Sequence, residues 1–298
     1  MRILLFLEES AGVQTLRAAH ASEHEVVAVL TSLHRTTSNR LGATVQGVAE
    51  HLKVPVWAAE QVKDPSFAER VLHESIDLIL NVHSLHIVHK EVLSAARVGG
   101  FNLHTGPLPG YAGMNAVNWA IMNGETQHGA TLHWMEAGID TGDIAFETMF
   151  ELSPQDTGLS VSRRCARDGL QLIKQLLATQ PDAIPRKPQD LSARRYHGFE
   201  IPFKGQIPWA SADLIERFVR ACNFHPLPSP WGIPTVDFRG ESIGLIEVAV
   251  TTEHCDTEPG SIHPREGSCY LAAADYWVEV KRILHRNHLA APHEVLAN

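Results

Sequence analysis

Residues 77–105 have the sequence DLILNVHSLHIVHKEVLSAARVGGFNLHT, and their pattern indicates the class of fold. Its opening residues, 77–82, form an apolar run of strand length, and a helical pattern follows over 89–96. The residues 99–105 then have the pattern of a second strand. This order of strand, helix and strand indicates a β-α-β unit, whose two strands are parallel and whose crossover is right-handed.

The same alternation continues on both sides of this unit. We predict further strands at 2–7, 24–31, 54–59, 129–135 and 143–152, and helices at 11–22, 43–53, 65–74 and from Thr157 to about Ala178. Alternating strands and helices predict a parallel sheet that is covered on both faces. The sequence therefore predicts a Rossmann-like α/β domain over residues 1–180.

The composition changes after this domain. Five prolines interrupt residues 181–208, so we predict a linker there. Beyond it, a helix is predicted at 212–222 and short strands at 233–238, 242–250, 268–273 and 276–284. Several short strands separated by turn residues predict a small, OB-like β-barrel domain over 209–298.

Bulk properties exclude some classes of protein. The chain has 298 residues, of which 44% are hydrophobic, and a formal net charge of −9, which is not that of a strongly basic nucleic-acid binder. None of its four cysteines forms a CxxC pair, so we expect no metal site and a reducing, cytoplasmic location. The N-terminal apolar run, Ile3 to Leu7, is too short for a signal peptide or a membrane span, so no membrane partner is expected.

The candidate chemistry lies in FNLHTGPLPGYAG at 101–113 and GATLHWMEAGIDTGDI at 129–144. Strand alternation puts Asn102 and His104 on the same side of one strand, at its carboxyl end, where ligands bind in open α/β sheets. The glycine-bracketed loop in the second segment presents Asp140. Each piece alone also fits a structural role, because Asp is a common turn residue and Gly-Pro loops are common turns.

Together, these three residues suit acyl transfer to an amine. Attack on a formyl carbon creates a negatively charged oxygen, to which the amide of Asn102 and a protonated imidazole of His104 can donate hydrogen bonds. We expect Asp140 to hold the tautomer of His104, to raise its pKa and to relay the proton that the amine loses. No covalent intermediate is required.

The segments NLH, PLPGYAG, NWAIMNGE, GATLHWM and GIDTGDI together resemble the formyltransferases that use 10-formyltetrahydrofolate. The resemblance is strongest to the sugar N-formyltransferases, and it implies that Asn102, His104 and Asp140 are the catalytic residues. It also implies that the formyl donor, 10-formyltetrahydrofolate, binds through two strand-end loops and a neighbouring leucine. The donor-binding residues implied in this way are His86, Ile87, Val88, Leu108, Glu136, Ala137, Gly138, Ile139 and Asp140.

The acceptor is expected to be a small-molecule amine, most simply a nucleotide-linked amino sugar, with Tyr111 and Met114 as candidate contacts. The alternatives are a methionyl-tRNA formyltransferase, for which tRNA would be the partner, and a 10-formyltetrahydrofolate hydrolase. The loop 34–40 with Arg35 and Arg40 is a candidate contact for an anionic substrate or a solvent-facing segment. The aromatic loop 196–205 either lines the amine site or packs against the core. A homodimer is the default expectation for the assembly.

Overall fold

The computed structural model describes residues 1–32, 42–265 and 267–296. The predicted arginine contacts at 34–40 lie outside these residues. The strands are β1 (Arg2–Leu7), β2 (Glu25–Thr31), β3 (Val56–Ala58), β4 (Leu78–Val82), β5 (Gly99–His104), β6 (Ala112–Gly113), β7 (Gln127–Trp134), β8 (Ile144–Glu151), β9 (Tyr196–His197), β10 (Thr235–Phe238), β11 (Glu241–His254), β12 (Ile262–Arg265), β13 (Ser268–Ala272), β14 (Tyr276–His285) and β15 (His288–Ala290). The helices are α1 (Glu9–His20), α2 (Val45–His51), α3 (Phe67–His73), α4 (Lys90–Ala95), α5 (Ala116–Met122), α6 (Gly158–Ala178), α7 (Ala212–Cys222) and α8 (Pro292–Leu296).

Two compact units make up the chain. The first comprises residues 1–113, 129–150 and 164–196, and the second comprises 114–128, 151–163 and 197–298. The first unit is built on a seven-stranded sheet of order β3-β2-β1-β4-β5-β7-β8. Strands β1 to β5 pair in parallel, as the β-α-β pattern predicts. The fold is therefore the predicted Rossmann-like one.

The sheet is not parallel throughout, however. Strand β7 pairs antiparallel with β5, and Asn102 lies opposite His133 in this register. The sequence pattern did not indicate this reversal, because a fully buried strand has the same apolar composition in either direction. The antiparallel pairing brings the end of β7 beside β5, so that the loop after β7 can reach the polar residues of β5.

Both faces of this sheet are buried. On β1, Ile3, Leu5 and Leu7 join the apolar cluster on one face, whereas Leu4 and Phe6 join the cluster on the other. Burial on both sides explains why these strands are continuous apolar runs rather than alternating ones. Burying a side chain of this size contributes about 1.5–3 kcal/mol relative to leaving it exposed.

The second unit contains a sheet of order β10-β11-β14-β13-β12, with β15 paired to β14. Its pairings are antiparallel, consistent with the predicted small barrel. Helix α7 begins at a Ser211 cap, whose hydroxyl accepts from the Leu214 N–H at 3.3 Å. Six elements have apolar periods that are too short to be recognised in the sequence, namely α5, α8 and the short strands β6, β9, β12 and β15.

Over the residues that the structure describes, no helix is both long and apolar enough to cross a bilayer. All four cysteines are free thiols. Among the same residues, no three His, Cys, Asp or Glu side chains are grouped so that they could hold a metal ion.

Candidate active site

The three residues predicted to be catalytic lie close together. Asn102 and His104 are on β5, and Asp140 is on the loop that follows β7. The His104 Nδ1 atom is 3.6 Å from Asp140 Oδ2, and Asn102 Nδ2 is 3.5 Å from Asp140 Oδ1. His104 and Asp140 are 7% and 8% exposed, so their interaction is only weakly screened by solvent.

The backbone around Asp140 forces its carboxylate inward. Asp140 adopts a left-handed conformation with φ of 54°, which Asp tolerates better than most residues. The N–H of Gly113 donates to Asp140 Oδ2 at 2.8 Å. Two residues further on, a Cβ added at Gly142 would overlap with the backbone oxygen of Trp134. The loop can therefore pass this close to β7 only with glycine at that position.

The protonation state of His104 differs from the expected one. Burial lowers the pKa of His104 and outweighs the opposing effect of the Asp140 charge, so the ring is neutral at pH 7 rather than protonated. Its Nε2 lies 2.6 Å from the backbone oxygen of Tyr111, which only accepts, so Nε2 carries the hydrogen. Nδ1 is then the basic nitrogen and faces Asp140. The Tyr111 carbonyl, rather than Asp140, holds the tautomer.

Asp140 is ionised across the physiological range. Burial tends to raise the pKa of Asp140, but the neighbouring His133 and His104 rings and the N–H of Gly113 together hold it well below its usual range. A permanent negative charge therefore faces the basic nitrogen of His104. This charge stabilises an imidazolium more than a neutral imidazole, so it favours proton uptake by His104 during a reaction.

His133, which was not among the predicted site residues, extends this polar network. The ring is 2% exposed, and its Nε2 lies 3.0 Å from Asn102 Nδ2 and 3.3 Å from Asp140 Oδ1. In its neutral form Nε2 accepts from the amide, and in its protonated form it donates to the carboxylate. Its contact with Asn102 depends on the antiparallel pairing of β7 with β5, which no local sequence pattern indicated.

The segment after α6, predicted as part of a linker, makes hydrogen bonds to the Asp140 loop. Gln189 Nε2 donates to the backbone oxygens of Asp140 and Gly142 at 3.0 and 2.6 Å. Arg194 Nη2 donates to the backbone oxygen of Ile139 at 3.0 Å. These three bonds hold the carbonyl groups on both sides of the Asp140 side chain. No local sequence signal indicated them, because the partners are about 50 residues apart.

The loop after β5 is fixed in a similar way by Thr131 of β7. Its hydroxyl donates to the backbone oxygen of Gly106 at 2.8 Å and accepts from the N–H of Leu108 at 3.2 Å. Leu108 itself is buried against Ala112 and Ile144. Leu108, which the resemblance implies as a contact of the formyl donor, therefore also packs this loop against its neighbours.

The other residues implied as donor contacts lie on two exposed loops. After β4, His86 is half-buried with Nε2 3.9 Å from Glu60 Oε1, Val88 packs on the core, and Ile87 is 66% exposed. On the loop after β7, the residues from Glu136 to Ile139 are all exposed. Ile87 and the residues 136–139 are therefore accessible to a ligand.

A cavity of about 300 Å³ adjoins the second loop. Its lining includes Glu136 and Ala137 of the predicted set, together with residues that the sequence analysis did not name. Those additional residues are Lys90, Leu93, Ser94, Gly99, Gly100, Trp134, Met135 and Arg186. A Cβ added at Gly100 would lie 2.7 Å from Leu93 Cδ2 and 2.8 Å from Met135 Cε. Glycine at this position therefore leaves room for the side chains of Leu93 and Met135 in the wall of the cavity.

The two candidate acceptor contacts are placed differently. Tyr111 is buried, and its carbonyl group holds His104, as described above. Met114 belongs to the second unit, where its N–H donates to the backbone oxygen of His197 at 2.8 Å. In the same unit, the aromatic loop residue Phe203 makes an edge contact with Phe218 at 5.4 Å, which favours the packing alternative for that part of the loop.

Comparison with known structures shows the same fold. An N-formyltransferase from Helicobacter canadensis, in complex with folinic acid and dTDP-3-aminofucose, is 17% identical over 93% of this chain and 98% of its own, with a TM-score of 0.71. WlaRD, a sugar 3N-formyltransferase in the presence of dTDP and 5-N-formyl-THF, is 15% identical over 94% and 97%, with a TM-score of 0.69. A 4-N formyltransferase from Francisella tularensis is 16% identical over 81% and 94%, with a TM-score of 0.67.

At these identities the structural likeness establishes the fold. The family follows from the sequence, because a family model described as formyl transferase matches residues 1–177. The chain belongs to the formyl transferase family, and it is an enzyme of formyl-group transfer.

Proposed function

We propose that this enzyme transfers the formyl group of 10-formyltetrahydrofolate to the amine of a nucleotide-linked amino sugar. The observation that carries the proposal is the convergence of Asn102, His104 and Asp140 around one point at the carboxyl end of β5. The similar structures supply the choice of substrates, since one contains folinic acid with a nucleotide-linked aminofucose and another contains dTDP with a formyl-tetrahydrofolate.

In the proposed reaction, the amine attacks the formyl carbon and negative charge develops on the formyl oxygen. Asn102 Nδ2 is only loosely engaged with Asp140 at 3.5 Å, so one of its N–H groups can turn to that oxygen. The neutral His104 accepts the proton that the attacking amine loses, directly or through Asp140 or water. The resulting imidazolium faces the Asp140 carboxylate. Because the pKa of His104 is lowered, the ring readily gives the proton up again to the departing tetrahydrofolate nitrogen.

For the donor, we propose the cavity between α4 and the loop after β7, together with the exposed loop after β4. Its volume of about 300 Å³ lies at the lower end of the range for small-molecule pockets. Leu93, Trp134 and Met135 offer apolar walls, and the exposed backbone of Glu136 and Ala137 offers hydrogen-bonding groups. A flat, polar-edged ring such as a pterin requires this combination.

A turnover screen tests the proposal. The enzyme is incubated with 10-formyltetrahydrofolate and, separately, with nucleotide-linked amino sugars, methionyl-tRNA or no acceptor, and formylated products and formate are measured. Formylation of an amino sugar supports the proposal, formylation of the tRNA favours the tRNA-modifying alternative, and formate released equally without acceptor favours the hydrolase. His104→Ala should abolish turnover, whereas the matched control His20→Ala, at an exposed position, should not.

A further inference from the structure

Strand β4 carries a polar residue in an otherwise apolar stretch. Asn81 is 8% exposed and lies opposite Asn102 in the parallel pairing of β4 with β5. Both neighbours of Asn81 in the strand, Leu80 and Val82, are fully buried. A buried amide costs free energy unless its polar atoms are paired, so an asparagine here requires an explanation.

The hydrogen bonds of Asn81 lead directly to Asn102. Asn81 Nδ2 donates to the backbone oxygen of Ser84 at 3.2 Å and to Asn102 Oδ1 at 2.9 Å. Asn102 Nδ2 in turn lies 3.0 Å from His133 Nε2 and 3.5 Å from Asp140 Oδ1. The two amides therefore form one chain of donors and acceptors.

Two of the groups that this chain contacts, the Ser84 carbonyl and the Asp140 carboxylate, can only accept. The Ser84 carbonyl requires the nitrogen of Asn81 to face it, and the carboxylate of Asp140 requires the nitrogen of Asn102 to face it. These requirements agree only when Asn81 donates to Asn102 Oδ1. If Asn102 turned its amide over, its nitrogen would meet the nitrogen of Asn81, and its oxygen would meet the carboxylate.

We propose that Asn81 is a positioning residue for formyl transfer, which holds the Asn102 amide with its N–H groups toward the reacting formyl oxygen. The inference rests on the proposed function, and it adds a residue that acts through Asn102. Asn81 Oδ1 is buried and has no hydrogen-bond partner among the residues that the structure describes. A side chain kept only for packing would be better served by leucine, which leaves no such oxygen unpaired.

Two substitutions at this position test the proposal. Asn81→Leu removes the donor, and with 10-formyltetrahydrofolate and the acceptor found in the screen, kcat should fall by about 10- to 100-fold, less than for the complete loss of an oxyanion donor. The KM for the donor should change much less. Asn81→Asp has the same shape but in its ionised form presents only acceptors to Asn102, so its kcat should be low at the pH values where the new carboxyl is ionised. Its kcat relative to the wild type should recover as the pH is lowered and the new carboxyl gains a proton to donate.

The control is Leu80→Val, which removes a methylene group from the same strand without touching the amides. If Asn81→Leu loses no more kcat than this control at an equal loss of thermal stability, or if Asn81→Asp shows no recovery at low pH, the proposal is wrong. A wild type that formylates no amine overturns the proposed function instead. In that case the positioning role of Asn81 can still be tested by NMR on the free protein. Asn81→Leu should shift the side-chain amide NMR signals of Asn102 in the free protein, and unchanged signals would overturn that role.

Discussion

Replacing Asp140 by Asn gives the most quantitative test of the site. The change keeps the shape of the side chain and removes its charge. Its oxygen can still accept from the N–H of Gly113, the shortest of its contacts at 2.8 Å, so we expect the loop to keep its conformation. The substitution therefore removes the electrostatic stabilisation of the imidazolium that forms when His104 takes up the proton of the amine.

The distance between the two groups sets the size of the effect. At an effective dielectric constant of about 20, unit charges 3.6 Å apart attract each other by roughly 5 kcal/mol. That energy is absent while His104 is neutral and present once the ring is protonated, so it stabilises the transition state selectively. We therefore expect Asp140→Asn to lower kcat by up to about 10³-fold.

The assay is steady-state formation of tetrahydrofolate with the best acceptor from the screen, alongside direct measurement of donor binding. The matched control is Asp182→Asn, which makes the same chemical change at an exposed position outside the site and should leave kcat within a few-fold of the wild type. Retention of most of the wild-type kcat by Asp140→Asn, with donor binding intact, would refute the charge argument. Equal losses in both variants would refute it as well.

Three further outcomes follow from the same geometry. Because burial lowers the pKa of His104, its NMR titration should have a midpoint below 6.5, and a midpoint above 6.5 would contradict this. As the pH falls below 6.5, the unfolded ring takes up a proton before the folded ring does, so the contribution of His104 to the free energy of unfolding should decrease. Gln189→Ala removes two hydrogen bonds from the Asp140 loop and should lower kcat by about 10-fold, whereas Gln180→Ala, at an exposed position, should behave as wild type in the same assay. Gly142→Ala forces a side chain against a strand backbone and should lower the free energy of unfolding by about 1–3 kcal/mol in urea titrations, whereas Gly198→Ala, which has open space around it, should change it little.

Local sequence patterns were sufficient to predict the class of fold and to single out the three residues that the structure brings together. Strands such as β1 and β4 are buried on both faces, and this produces apolar runs that can be recognised without any tertiary information. Asn102 and His104 were equally accessible to prediction, because strand alternation alone places them together. Asp140 was found through its glycine-bracketed loop and through the resemblance of the whole segment to a known family.

The contacts that hold these residues and the protonation states that they adopt depend on the three-dimensional packing. The antiparallel pairing of β7 brings His133 against Asn102, and the segment after α6 fixes the Asp140 loop through Gln189. The pKa of His104 is lowered because burial outweighs a neighbouring charge, and a sequence shows the charge but not the burial. Hydrogen bonds and desolvation depend on atoms that are distant along the chain, so local patterns cannot encode their balance.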